Sequence, residues 1–336
     1  MKGTSLIIPA VALVIILVIL ASYLNIIFIK NGQIEKDIEV RSEMHTMGNA
    51  LEAAKLYMET ALAYSTYQAC YDSLKNGGWD TLQGRRTHAG YALWDSTALP
   101  PTKDELDANL KKSIRSNLDL YRKQTYRFMT DYFVNLPSYD IDVLMYNPYQ
   151  LSVGAWNSSN FWIEKLQASG ESIKLQKYGF LQGEYTINCY GVYTKGADIH
   201  AKAAEAVKKA WADVKAPTTL TASNPDAQKK VDDMLSGYKT SFADNAKAAL
   251  HALSAADADY DVSVNVLSTD LTWTMGPQQV NGQGATVEVT GYKPEALVKF
   301  DVTGIRNGQE FPVFDGKNVV MSPMTLSFVA RYTGAA

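Results

Sequence analysis

Residues 6–29 read LIIPAVALVIILVILASYLNIIFI, without one charged side chain. As a helix rising 1.5 Å per residue, these 24 residues span about 36 Å, enough to cross a hydrocarbon core of roughly 30 Å with some tilt. Only Met1-Lys2-Gly3-Thr4-Ser5 stands ahead of the run, and more than three hundred residues follow it. The chain therefore reads as an N-terminal apolar stem joined to one large, mostly polar remainder. The run is too long for the apolar region of a cleaved secretory signal, and no A-x-A site follows it. A retained membrane-spanning segment is expected. Lys2 lies on one side of it and Lys30, Lys36 and Arg41 on the other, so basic residues alone do not place the remainder outside.

The 336-residue chain is 46% apolar and 20% charged, an ordinary balance for a folded protein rather than a disordered one. The part beyond residue 29 is long enough to bury a core without disulfides. A formal net charge of −3 offers no bulk attraction for nucleic acid, and none is expected as a partner. Cys70 and Cys189 are the only cysteines. Outside the cytoplasm they can pair; inside a core they can equally remain as two free thiols. Asn157-Ser158-Ser159 is a glycosylation sequon if this region faces outward.

After Ile29, Lys30-Asn31-Gly32 is a place for the helix to bend or locally unwind. The helical pattern resumes at Ile34 and runs to Leu74, where Asn76-Gly77-Gly78 supplies a C-terminal stop. One stripe is Met47, Leu51, Ala54, Met58 and Ala61; another is Leu56, Thr60, Ala63, Tyr67, Cys70 and Leu74. Both have the spacing of a buried helical face. Unbroken, the helix from Thr4 to Leu74 is a rod of ~105 Å.

Lys2-Gly3-Thr4-Ser5 followed at once by an apolar helix resembles the class III signal peptide of archaeal type IV pilins and archaellins. The resemblance covers about the first thirty residues. It implies a cut by a membrane peptidase between Gly3 and Thr4, with Thr4 as the mature N-terminus and the apolar helix retained as filament core. Bacterial-type pilins carry a glutamate five positions into the mature chain; Ile8 stands there, a departure that archaeal members share. The partners implied are copies of the same chain, the membrane before assembly, and a prepilin-type peptidase with its assembly machinery. Ala10, Ala12, Ala21 and Ser22 are the small residues that permit close helix approach.

Farther on, Trp79 to Pro101 reads as loop. Thr102-Lys103-Asp104-Glu105 is a capping box opening a helix through Leu106, Leu110, Ile114, Leu118, Tyr121, Met129 and Phe133, ending before Pro137. Lys111, Lys112, Arg115, Arg122, Lys123 and Arg127 give it a basic face, suited to water, to lipid head groups, or to a neighbour's acidic patch such as Glu35, Asp37 and Glu39. Tyr139 to Tyr193 reads as short strands rich in aromatic residues. Helices are expected over 197–215 and from Asn224-Pro225 to about Ala255, with 216–219 as linker. The last third reads as antiparallel strands at 260–266, 271–275, 286–289, 297–302 and 325–332, with turn signals at Asn281-Gly282, Asn307-Gly308 and Asp315-Gly316.

The common local motifs of hydrolases, nucleotide-binding enzymes and redox dithiols are missing from the sequence, and His45, His88, His200 and His251 are widely spaced. Asp257-Ala-Asp259-Tyr-Asp261 opens like a calcium loop, but Val262 and Ser268 occupy the places of the turn glycine and the bidentate glutamate. No catalytic residues, metal ligands or cofactor are expected. The expected fold is α+β: a long N-terminal hydrophobic helix, the pilin-like stem, with a mixed helical and antiparallel β-rich head. Its divisions are a leader at 1–3, a hydrophobic helix at 4–30, a helical continuation at 31–76, a mixed α/β part at 77–215, and a helix followed by a β-rich part at 216–336. The function implied by the resemblance is that of a structural subunit of an archaeal cell-surface filament serving adhesion or motility, not an enzyme. The alternative is a single-pass membrane-anchored extracellular binding or accessory protein.

Overall fold

A computed structural model describes residues 7–123, 132–156, 161–166, 172–177, 180–224, 226–254, 257–281 and 283–334. In chain order the elements are α1 (Ile7–Lys75), β1 (Thr87–His88), β2 (Tyr91–Trp94), α2 (Lys103–Lys123), β3 (Tyr132–Asn135), β4 (Asp140–Asn147), β5 (Gln150–Trp156), β6 (Phe161–Leu166), β7 (Ser172–Lys177) and β8 (Leu181–Thr186). There follow α3 (Cys189–Ala212), β9 (Thr219–Ser223), α4 (Ala227–His251), β10 (Tyr260–Met275), β11 (Gln279–Asn281), β12 (Gly284–Gly304), β13 (Phe311–Phe314), β14 (Val319–Ser322) and β15 (Thr325–Thr333). The fold is mixed α and β, with a long apolar N-terminal helix and mainly antiparallel sheets.

The chain divides into two compact units. The first comprises Met1–Tyr57, Thr125–Pro137 and Ser158–Gly179. It holds the apolar part of α1 and the antiparallel sheet β3-β6-β7, in which the buried residues Val134 and Ile163 face each other across the strands. The ladder of α1 runs through Lys30-Asn31-Gly32 without the unwinding the sequence allowed. One glycine in a helix interior costs only ~1 kcal/mol relative to alanine, too little to break a helix sustained on both sides. Met47, Leu51 and Ala54 are buried, as their spacing predicts, and Ala50 with them, whereas Leu56 of the second stripe is 65% exposed.

The second unit comprises Met58–Gln124, Ser138–Asn157 and Phe180–Ala336. It begins with the last turns of α1, where Met58, Ala61, Leu62, Ala69, Cys70 and Leu74 are buried. That helix ends as the glycines predict. Gly77 and Gly78 take φ of +67° and +91°. The Gly78 N–H donates to the Ser73 carbonyl at 2.7 Å and the Gly77 N–H to the Leu74 carbonyl at 3.0 Å, the paired bonds of a Schellman cap.

A seven-stranded sheet forms the centre of this unit, in the order β1-β2-β15-β12-β10, with β9 and β11 pairing the first part of β12. All its pairings are antiparallel except β2 with β15. Helices α3 and α4 pack on it, α3 over β12 and β15, α4 over β9, β10 and β12. Val298, Phe300 and Val302 of β12 and Leu326 and Phe328 of β15 are buried at period two. Trp94 stacks on Phe328 at 3.7 Å between centroids, and Phe300 on Phe328 at 5.1 Å. The antiparallel sheet β4-β5-β8 and the hairpin β13-β14 complete the unit.

The capping box at Thr102 forms: its N–H donates to Glu105 Oε2 at 2.7 Å, and the Glu105 N–H to Thr102 Oγ1 at 3.3 Å. Several expectations need correction. The 79–101 passage is not all loop, because β2 enters the central sheet with Ala92 and Trp94 buried. Helix α2 is described to Lys123, and Phe133 belongs to strand β3; Met129 and Arg127 lie outside the described residues. Residues 189–193, read as strand, open α3. Cys189, Val192, Gly196, Ile199, Ala203, Val207 and Ala210 then make one buried helical stripe, so packing overrides the strand preference of Val192 and Tyr193. Thr219, read as linker, starts β9. The short strands read at 260–275 and 286–302 are two long ones, and β10 carries irregularities at 266–268 and 272–274 where the sequence pattern breaks.

Gly77 yields a direct prediction. A Cβ there would lie 2.6 Å from the Ala92 Cβ, at a backbone angle that L-residues rarely adopt. Gly77→Ala should therefore destabilise the second unit by roughly 2–3 kcal/mol, read as a lower midpoint in urea unfolding; an unchanged midpoint contradicts the cap.

Candidate functional site

The first candidate is the exposed apolar surface of α1. Ten large apolar side chains between Ile16 and Ile29 are exposed, from 46% at Leu24 to 74% at Phe28. Ile34, Ile38 and Met44 continue the exposure. The segment is long and apolar enough to cross a membrane, by length and composition, and its apolar window is not buried in the chain. At roughly 1.5–3 kcal/mol per large apolar side chain left in water, these ten residues forgo ~15–30 kcal/mol. That exceeds the whole stability of an ordinary domain, about 5–15 kcal/mol. Ala21 and Ser22 lie on this surface, exposed, and Ser22 Oγ donates back to the Val18 carbonyl at 2.8 Å. Ala10 and Ala12 lie in helical backbone. Lys2, Gly3 and Thr4 lie outside the described residues.

The second candidate is a groove of about 620 Å³ in the second unit, walled by Tyr64 and Gln68 of α1, Leu120 of α2, and Phe314 and Val319 of the β13-β14 hairpin. Sequence reasoning missed it because Gln68 lies on neither apolar stripe and nothing local says where a hairpin docks. Gln68 holds that hairpin as a strand would. Its Oε1 accepts from the Phe314 N–H at 2.6 Å, and its Nε2 donates to the Phe314 carbonyl at 3.1 Å. The same Nε2 donates to both Asp72 oxygens at 3.0 Å. Burial raises the Asp72 pKa, and the Gln68 hydrogen bond and Lys75 oppose that rise. Phe314, Val319 and Leu120 are exposed at the mouth.

The polar clusters are tied to one another. Tyr149 Oη donates to Asp259 at 2.9 Å, Arg306 lies 4.2 Å over the Tyr149 ring, and Lys195 pairs with Asp257 at 2.9 Å. Asp257 Oδ1 also caps the turn by accepting from the Asp259 and Tyr260 N–H groups. Asp257 and Asp259 of the acidic stretch are thus engaged by Lys195 and Arg306 at the start of β10. The basic face of α2 behaves likewise: Lys111 pairs with Asp142 at 2.7 Å, Arg115 with Asp140 at 3.2 Å, and Lys112 with Asp80. Three residues of that face thus make ion pairs within the chain.

His45 and His251 are exposed, and His88 is half-buried beside a turn. His200 sits in the aromatic core, edge-on to Trp94 at 5.4 Å between centroids, with Nδ1 2.9 Å from Tyr332 Oη. Burial lowers its pKa to about 4. No group of three or more metal-binding side chains occurs among the described residues. Cys70 and Cys189 are both buried free thiols. Asn157 lies outside the described residues. No protein-family model matches the chain, and no curated protein or solved structure matches it.

Two outcomes follow from these geometries. The unfolded chain binds a proton on His200 near pH 6.5, the folded chain only near about 4. The stability tied to neutral His200 is therefore present above pH 6.5 and lost as pH falls to about 4. Unfolding free energy measured by urea titration should decline between pH 6.5 and about 4, and His200→Gln should flatten that decline. Gln68→Ala should speed amide exchange at Phe314 roughly tenfold or more by removing both bonds to that residue; unchanged exchange would show the hairpin is held by its other contacts.

Proposed function

We propose that this chain is a structural subunit of an archaeal cell-surface filament of the type IV pilus kind, assembling through its N-terminal hydrophobic helix. The observation that carries this reading is the continuous exposed apolar surface from Ile16 to Ile29 on an unbroken 69-residue helix. Such a surface is covered either by lipid or by like helices, and a subunit stored in the membrane and then extracted uses both in turn. In lipid the tails satisfy it. In a filament, helices from neighbouring copies replace the lipid, with Ala10, Ala12, Ala21 and Ser22 allowing close approach. Processing between Gly3 and Thr4 by a prepilin-type peptidase releases the subunit for assembly. On this reading the chain performs no catalysis, and its partners are its own copies and the assembly machinery.

A second reading is a single-pass membrane-anchored extracellular binding or accessory protein. The groove bounded by Gln68, Leu120 and Phe314 favours it, since an apolar recess with a polar floor suits a ligand or a peptide. The two readings separate at the N-terminus. N-terminal sequencing of the chain from cell-surface material should begin at Thr4. Gly3→Val should leave a precursor in the membrane and abolish filaments seen by electron microscopy. A surface protein that still begins at Met1 and yields no filaments supports the anchored alternative.

A further inference from the structure

Three polar side chains of α1 line the groove beside the β13-β14 hairpin: Ser65, Gln68 and Asp72. Their spacing puts them on one face of the helix, the outer two about 10 Å apart along its axis. Gln68 is spent on the hairpin, its amide bonded to both backbone groups of Phe314. Ser65 is fully buried, and its Oγ has no hydrogen-bond partner among the described residues. A hydroxyl taken out of water and left unpaired is unfavourable, and a partner entering the groove relieves it. Asp72 accepts from one donor among the described residues, Gln68 Nε2, 3.0 Å from each oxygen. A carboxylate has room for about four such bonds. Lys75 acts on Asp72 by its charge, but its ammonium lies 5.5 Å from the Tyr71 ring centroid. Between the two polar points stand Leu120 of α2 and Phe314 and Val319 of the hairpin. Asp72 is the only ionised side chain among the described residues that line the groove. Its volume of about 620 Å³ is that of a small-ligand pocket.

We propose that this groove binds a small amphipathic amine, with a primary ammonium at Asp72, an aromatic body against Leu120, Phe314 and Val319, and a hydroxyl at Ser65. The ammonium supplies the donors that Asp72 lacks and offsets a negative charge that burial disfavours. Tyr64 and Tyr121 line the same recess, and ring faces attract cations and stack on aromatic bodies. The Asp72 charge turns anions away, and a wholly apolar ligand leaves both the carboxylate and the Ser65 hydroxyl unanswered. One ring with a polar group at each end covers the distance between those two side chains, so the occupant is a free small molecule. The assignment deepens the anchored binding-protein reading and rests on it for a role in the cell; the groove itself lies within the second unit under either reading.

The test titrates full-length protein in detergent with tyramine, which carries an ammonium and a phenol hydroxyl at opposite ends. Two analogues keep its body: para-ethylphenol lacks the ammonium, and para-hydroxyphenylpropionate has a carboxylate in its place. Calorimetry should show one tyramine site, with affinity at least tenfold above either analogue. Asp72→Asn keeps an acceptor for Gln68 and should lower tyramine affinity tenfold or more, to the level of para-ethylphenol. Leu120→Arg, at the exposed mouth where folding is not at stake, should lower it likewise by repelling the ammonium. Unchanged amide exchange at Phe314 shows that the hairpin stays docked in both variants. Equal affinity for the three compounds, no binding of tyramine at millimolar concentration, or tyramine affinity unmoved by Leu120→Arg overturns the proposal. Binding of a short lysine-containing peptide where tyramine fails also overturns it, in favour of a protein partner. Electron microscopy of cell-surface material judges the filament reading separately. Tyramine binding by a filament-forming chain upholds the groove assignment, and its absence in a chain that forms no filaments overturns that assignment alone.

Discussion

The burial of α1 from Met58 to Leu74 is the constraint on which the second unit depends. One helix face supplies Met58, Ala61, Leu62, Ala69, Cys70 and Leu74 to the core. Its end is then fixed by a Schellman cap whose glycines touch Ala92, Pro101 and Tyr193. Because β2, the approach to α2, and the start of α3 all meet at that cap, the end of the helix sets the entry of three separate stretches of chain. An apolar segment at the start of the same helix has no such cover within the chain.

Around that helix the polar groups are largely spent on architecture. Asp259, Arg306 and Tyr149 tie the β4-β5 turn to β10, and the basic residues of α2 reach Asp80, Asp140 and Asp142. Exposed ion pairs of this kind contribute little individually, on the order of 0–1 kcal/mol. Their value is in orientation, because each joins segments distant in sequence. His200 belongs to the same economy: buried and neutral, it supplies one polar contact to Tyr332 inside an aromatic cluster. These contacts hold distant segments of the second unit to one another.

Much of this was legible in the sequence where signals are local. The apolar run, the 3/4 spacing of Met47, Leu51, Ala54, Met58 and Ala61, the Thr102–Glu105 box and the Gly77-Gly78 stop each involve residues within a few positions of one another. Legibility failed where distant segments decide. Cys189 to Tyr193 has strand-like composition and becomes helix because it is buried by distant segments, Tyr190 reaching Asp107 and Tyr193 the Pro101 carbonyl. Tyr91 to Trp94 looks like loop and becomes strand because β15 offers it a parallel partner. Gln68 shows no pattern at all, since its role is defined by Phe314, 246 positions away.

What the sequence by itself determined is the uncharged helix at the N-terminus, its continuation and stop, and the α+β character of the remainder. Helical periodicity, capping and the exclusion of charge from a membrane-length segment are properties of neighbouring residues. Only the tertiary structure decided the order of strands in the central sheet, the groove beside Gln68, and the ion pairs that Lys111, Lys112 and Arg115 of α2 make with Asp142, Asp80 and Asp140. Each of these requires segments far apart in the chain to pack, and packing depends on the shapes that meet rather than on either segment alone.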